Sequence, residues 1–173
     1  MKFTLGSFFR IGLSVVLLAA LTGVAGAQSL AKPKGLVILS ISGNISQHNA
    51  GDVAEFDAAM LDAMTVTQFS TTTPWHKNSV AFAGPSLQSV LTAVGAKGKV
   101  LRMQALNDYE IKVPFDDAAE FTPVLARMAD GVALTIRTKG PLFMIYPFDS
   151  KPKLKNDTYY SRSIWQLRKI VVE

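Results

Sequence analysis

The sequence predicts a single α+β domain, with mixed β-sheet strands and two or three short helices. Three observations carry that reading. Short runs rich in β-branched and aromatic residues recur along the chain, among them Leu36–Ser42, Leu142–Tyr146 and Trp165–Val172, as strands require. Only two stretches, Asp52–Met64 and Leu87–Val94, carry a 3/4-spaced apolar stripe, the mark of a helix packed on one face. No internal repeat, low-complexity run or linker divides the chain, which leaves one domain of strands mixed with a few helices.

Residues 1–27 are expected to lie outside that domain. Lys2 and Arg10 flank the start, Ile11–Val24 is a short apolar run, and Ala25-Gly26-Ala27 is a small-x-small site. That is the layout of a secretory signal peptide, too short and wrongly flanked for a membrane span. Cleavage before Gln28 would leave 146 of the 173 residues, 28–173, as the exported domain. A chain of that size can bury a core without covalent staples.

The elements follow in order. Leu36–Ser42 (LVILSIS) reads as a buried first strand ended by Gly43-Asn44. Asp52–Met64 reads as a helix, with Asp52 as cap, Glu55 completing a capping box, and Phe56, Ala59, Met60 and Ala63 on one face. Thr65–Ser70 alternates as a strand, Thr71–His76 is a polar loop carrying Trp75, and Ser79–Phe82 is a short strand. Gly84-Pro85-Ser86 introduces the helix Leu87–Val94, and Gly95 stops it. Val100–Leu106 and Tyr109–Val113 are neighbouring strands across Asn107-Asp108, and Asp116-Asp117 starts a helical turn.

Val124–Ala129 and Val132–Ile136 flank Asp130-Gly131, a hairpin signal. Leu142–Tyr146 is an almost purely apolar strand after Gly140-Pro141. The last strand, Trp165–Val172, puts Trp165, Leu167 and Val171 on one face. Between these two runs lies a polar loop with Pro147, Pro152, the alternating Lys151, Lys153 and Lys155, and the pair Tyr159-Tyr160. A basic, aromatic-bearing loop on two core strands suggests a site at one edge of a rigid scaffold.

Composition excludes several chemistries. With no cysteine anywhere, thiolate catalysis, disulfides and metal–thiolate ligation are all excluded. Loss of Lys2 and Arg10 lowers the formal net charge from +5 to +3, too mild to argue for nucleic acid. The positive charge is uneven, with seven Lys or Arg from Lys139 onward against Asp149, Asp157 and Glu173. His48 and His76 are the only histidines, and no nucleophile, base and orienter stand together in a recognisable spacing.

From Trp75 onward the order of motifs resembles the sulfite-oxidase fold, the molybdopterin-binding domain family. Trp75, Gly84, Leu87, Val90, Leu91 and Gly95 match a run of that family. Asp108-Tyr109 with Val113-Pro114, Arg127 with Asp130-Gly131, Gly140-Pro141-Leu142 with Tyr146-Pro147, and finally Trp165 follow in its order. The resemblance covers most of the chain from about Leu36. It implies a molybdenum held by a cysteine between the first helix and the Trp loop, and a cofactor phosphate held by basic residues before the last tryptophan. Here Phe69-Ser70-Thr71-Thr72-Thr73 stands in the first place and Ser163-Ile164 in the second, with Arg162 nearby. A hydroxyl does not replace a soft thiolate on molybdenum.

The chain is therefore similar to cysteine-free, periplasmic members of the fold that bind a pterin-type ligand without molybdenum. Those members signal to the extracytoplasmic domain of a membrane-bound cyclic-di-GMP enzyme. Two alternatives stay open: a molybdopterin-dependent oxidoreductase, and an interaction domain with a relic pocket. A pterin site needs an aromatic face for the ring, a carboxylate for its amino-pyrimidinone edge, and polar groups near its carbonyl.

Trp75 and Trp165 are the stacking candidates, against the alternative that each is a core aromatic. Tyr109 and Tyr146 offer rings or hydroxyls, Asp108 and Asp149 the carboxylate, and Arg162 and Ser163 contacts to a carbonyl or anionic tail. The Lys151/Lys153/Lys155 comb is either a solvated loop or a docking surface for an acidic partner.

Overall fold

A computed structural model describes residues 30–173 together with Lys2; the expected signal peptide otherwise lies outside the described residues. In chain order the elements are β1 (Val37–Gly43), β2 (Ala54–Asp57), α1 (Ala58–Asp62), β3 (Val66–Thr73), β4 (His76–Pro85) and α2 (Leu87–Ala93). Then come β5 (Val100–Ala105), β6 (Glu110–Pro114), α3 (Asp117–Glu120), β7 (Val124–Ala126), β8 (Met128–Ala129) and β9 (Val132–Ala133). The chain ends with β10 (Phe143–Ile145), α4 (Asp157–Arg162) and β11 (Leu167–Val172), and short 3₁₀ turns lie at Ile136–Thr138 and Pro152–Leu154. Mixed sheets with short helices make this an α+β fold, as expected. None of the described helices is long and apolar enough to cross a membrane.

The strands form a five-stranded sheet in the order β2-β1-β11-β5-β6, a four-stranded sheet β3-β4-β8-β9, and the pair β10-β7. β1 and β11, from opposite ends of the described chain, run parallel with Ser40 opposite Lys169 and Gly43 opposite Val172. β7 and β10 are buried along their whole length, so each reads as an unbroken apolar run rather than an alternation. Gly84 lets β4 approach β7, because a Cβ there would sit 2.2 Å from the Leu125 carbonyl oxygen.

Three local expectations are corrected by pairing. The Asp52–Met64 helix is instead a strand followed by a five-residue helix. Ala54 and Phe56 satisfy a period of two as well as a helical stripe, and antiparallel pairing with β1 decides between them. The N-cap is Asp57, whose carboxylate accepts from Met60 N at 2.9 Å, Lys34 N at 2.7 Å and Gly35 N at 2.8 Å. These backbone donors, Met60 first, hold the Asp57 carboxyl below its ordinary range.

The polar loop Thr71–His76 shrinks to the turn Pro74-Trp75, since β3 and β4 pair up to Thr73 opposite His76. The long hairpin of Val124–Ala129 with Val132–Ile136 survives only as β8 and β9 around Asp130-Gly131. Both turn residues have positive φ, as a type I′ turn demands, while β7 takes β10 as its partner.

Two further differences bear on the site. The last strand begins at Leu167, and a register shift between Leu167 and Lys169 changes the phase of its pattern. Leu167, Ile170 and Val172 are therefore buried, whereas Val171 is only partly so and Trp165 stands ahead of the strand. The segment between β10 and β11 is folded rather than looped: Leu154 is buried, and α4 starts at an Asn156 cap that accepts from Thr158 N at 3.0 Å.

Candidate functional site

A cleft of about 360 Å³ opens where the β3–β4 turn, the β5–β6 turn and the end of α4 meet. Trp75 comes from the first, Asn107 and Tyr109 from the second, and Tyr160, Ser161 and Ser163 from the third. Trp165, on the approach to β11, completes the ring-lined wall, and Ala105 and Ile164 add apolar surface.

Local chemistry sets each piece. Asn107 Oδ1 accepts from Tyr109 N at 3.2 Å, an Asx-turn, and Asp108 takes the positive φ that Asp tolerates. The Tyr109 hydroxyl donates to the Ser161 carbonyl at 3.5 Å, so it reaches from the β5–β6 turn to α4. Ser163 is buried, with its hydroxyl donating back to Tyr159 O at 2.9 Å.

The rings meet edge to face. Trp75 lies 5.6 Å from Trp165 with the planes at 85°, 6.1 Å from Tyr160 and 5.8 Å from Phe143. Such pairs satisfy the quadrupoles of both rings. Phe143 is fully buried whereas Trp165 is 36% exposed, so one cluster passes from core to solvent. The Trp75 backbone N–H is held by Thr73 Oγ1. Among the described residues no buried side-chain nitrogen or oxygen lacks a partner, and the Trp75 indole N–H, which has none, opens to solvent.

A cation that the sequence reading passed over, Lys139, sits 4.7 Å from the Trp165 ring centre. Nothing local marks it, since it meets Trp165 only through the fold. His76, beside Trp75, shares a 2.7 Å hydrogen bond with Thr73 Oγ1. Burial, and then the charge of Lys139, hold its pKa below the ordinary histidine value.

Of the eight residues expected at a site, the structure brings together Trp75, Tyr109, Ser163 and Trp165. Tyr160 and Asn107 join them. The other four lie outside the cleft lining, each with partners inside the protein. Asp108 is paired with Arg168 at 2.6 Å. Asp149 accepts from Thr72 N at 2.7 Å and Thr72 Oγ1 at 2.6 Å, and pairs with Lys155 at 2.6 Å. Lys155 first, then Thr72, bring its pKa down to about 2.

Tyr146 is fully buried, and its hydroxyl donates to Asp117 Oδ2 at 2.7 Å. Arg162 binds the same oxygen at 3.0 Å while lying over the Tyr159 ring at 5.1 Å. Burial, followed by the Asp117 bond, pushes the Tyr146 phenol far above its ordinary range. Local pattern marks Asp117 only as a helix start; its burial, and its pairing with Arg162 of α4, arise from the fold.

The lysine comb also has partners. Lys151 donates to the Glu120 carbonyl, Lys153 pairs with Glu120 at 2.7 Å, and both cover the Phe121 ring. Among the described residues no carboxylate lines the cleft. Polar recognition there rests on Asn107, Tyr109, Ser161, Ser163 and the Trp75 indole. In the segment where the resemblance implies a metal ligand, Thr71 Oγ1 accepts from Asp149 N at 3.0 Å and Thr72 Oγ1 is bound to the Asp149 carboxylate. These hydroxyls do not form the donor set that molybdenum takes. The structure therefore defines an α+β domain with an open, aromatic-lined cleft. No family model and no curated protein matches the chain.

Proposed function

We propose that the protein is an exported, non-catalytic pterin-binding protein of the sulfite-oxidase fold, whose cleft reports ligand occupancy to the extracytoplasmic domain of a membrane-bound signalling partner controlling cyclic-di-GMP. The observation that carries the reading is the Trp75–Trp165 pair, 5.6 Å apart at the wall of a cleft of about 360 Å³. That volume lies in the range of about 300–1,000 Å³ usual for small-molecule sites, and exposed indole surface suits a flat heteroaromatic ring. The chain contains no cysteine, which favours binding without a thiolate-held metal.

Asn107, Ser161 and Ser163 would meet the ring's polar edge. Tyr160, Ser161 and Ser163 belong to α4 or its end, so a ligand that orders this wall would lower the ordering cost of a partner that docks on it. The absence of a carboxylate from the lining favours a second reading, an interaction domain whose pocket is a relic.

Denaturing protein purified from its native compartment and examining the supernatant for pterin-like fluorescence tests the proposal. A stoichiometric fluorescent ligand is the expected result, and protein that neither releases nor rebinds a pterin leaves the interaction domain. Metal analysis of the same sample bears on the oxidoreductase alternative, with no stoichiometric molybdenum expected.

A further inference from the structure

Sheet edges carry unpaired backbone donors and acceptors, and proteins ordinarily shorten, charge or cover them. Three of the four outer strands of the two larger sheets follow that rule. β9 has two residues. β6 carries Glu110 and Lys112 and ends in Pro114. β2 has four residues, and the Asn49 side chain both accepts from Glu55 N and donates to Glu55 O, each at 2.8 Å.

β3 departs from the rule. It is eight residues long, VTQFSTTT, with neither charge nor proline, and it is the outer strand of its sheet. Its geometry shows which groups are free. Ala81 and Ala83 of β4 turn their carbonyls toward Asp130 N and Arg127 N, so Val80, Phe82 and Gly84 face β3. Their partners are Thr71, Phe69 and Thr67. By the alternation of an antiparallel ladder, Val66, Gln68, Ser70 and Thr72 turn their backbone groups outward. Thr72 is then closed by Asp149, whose carboxylate takes its N–H at 2.7 Å where a neighbouring strand's carbonyl would sit. Among the described residues nothing pairs with Val66, Gln68 and Ser70 on this side, and all three have exposed side chains.

We propose that this open edge pairs with the same edge of a second copy of the chain, antiparallel about a two-fold axis at Gln68. Val66 then faces Ser70 of the partner copy, and the pairing ends where Asp149 closes each strand. About six ladder hydrogen bonds form between the outward-facing residues. A second copy suits the edge because an antiparallel ladder between identical strands is self-complementary about a two-fold axis, and β3 is neutral in a domain of formal net charge +3 once residues 1–27 are lost. It is a surface on which two like-charged molecules meet without opposing charges of one sign. Val66, 58% exposed, gains cover.

Sedimentation velocity of the purified protein over a concentration series tests this. The wild-type chain is expected to pass from monomer to dimer. Gln68→Lys and Gln68→Glu each place like charges opposite each other across the axis and should self-associate about fivefold or more weakly. At concentrations where the wild type is monomeric, their thermal melts should stay close to the wild-type value, because the Gln68 side chain is exposed and makes no hydrogen bond among the described residues. Mixing the two variants should restore the dimer. A wild-type chain that stays monomeric throughout overturns the proposal, as do single variants that dimerise unchanged. A mixture that fails to recover overturns the two-fold register.

Discussion

The short helix α4 stands between two aromatic clusters of opposite character. On its inner side, Tyr146, Tyr159 and Phe121 enclose Asp117 and Arg162, and the polar atoms answer one another at 2.7 and 3.0 Å. On its outer side, Trp75, Tyr160 and Trp165 line an open cleft with hydroxyls, an amide and an indole N–H facing solvent. Both clusters draw on the same stretch of chain and similar residue types. What separates them is exposure: Asp117 and Tyr146 are buried, whereas Tyr109 and Trp165 stand open to solvent, even though the Tyr109 and Ser163 hydroxyls have backbone acceptors. An ion pair sealed under rings holds the wall in place, whereas unsealed rings and hydroxyls are free to meet something else.

The largest effect should come from opening the sealed side. Asp117→Ala leaves Arg162 and the Tyr146 hydroxyl without their shared acceptor, and should cost about 3–5 kcal/mol of unfolding free energy in a denaturant titration. A loss under about 1 kcal/mol would class the pair with surface ion pairs and erase the contrast.

On the open side, Trp75→Ala or Trp165→Ala should weaken the proposed pterin binding by about 1–3 kcal/mol. Each should cost less stability than Phe143→Ala, for which about 3–5 kcal/mol is expected of a buried ring. Titrations beside thermal melts separate the two behaviours, and normal binding by either variant removes that tryptophan from the site.

Tyr146→Phe should cost about 1–3 kcal/mol, chiefly by leaving Asp117 one donor short, with ligand affinity little changed. If affinity falls as far as it does for Trp75→Ala, the two sides of α4 are coupled rather than separate.

A smaller effect is expected from acid. The Asp149 carboxyl titrates at about 2 in the folded protein and near 3.9 when unfolded. Its folded pKa is depressed, so its contribution is complete above about pH 4 and is lost as pH falls toward about 2. Asp149→Asn should flatten that part of a stability–pH curve; an unchanged acid limb would show that Lys155 and Thr72 contribute little in solution.

Smallest should be the change on reversing Lys151, Lys153 and Lys155 to Glu. Lys153 and Lys155 are substantially exposed, so stability should change little. Association with a partner's extracytoplasmic domain should slow and lose its salt dependence. Association indifferent to both changes leaves the comb as a brace on Glu120 and Phe121.

Much of the fold was legible because it is written in local periodicity and local caps. The apolar runs of β1 and β10, α2 with its Ser86 cap and Gly95 stop, the paired β5 and β6, and the Asp130-Gly131 turn all lie where residue spacing puts them. The absence of thiolate chemistry is likewise complete in composition alone. Four of the eight expected site residues meet at the cleft, and three of them, Trp75, Tyr109 and Trp165, are large rings at loops or strand starts that are conspicuous in sequence.

Tertiary structure alone decided the pairings. Whether Ala54 and Phe56 extend a sheet or wind into a helix depended on β1 beside them. Whether β7 joined the hairpin or β10 depended on a strand 17 residues beyond its end. Asp117 became the acceptor for Arg162 across 45 positions, and Thr72 met Asp149 across 77. Spacing and caps record only what neighbours along the chain do to one another. Burial of a charge, and the partner that makes that burial tolerable, arise when distant segments are brought into contact.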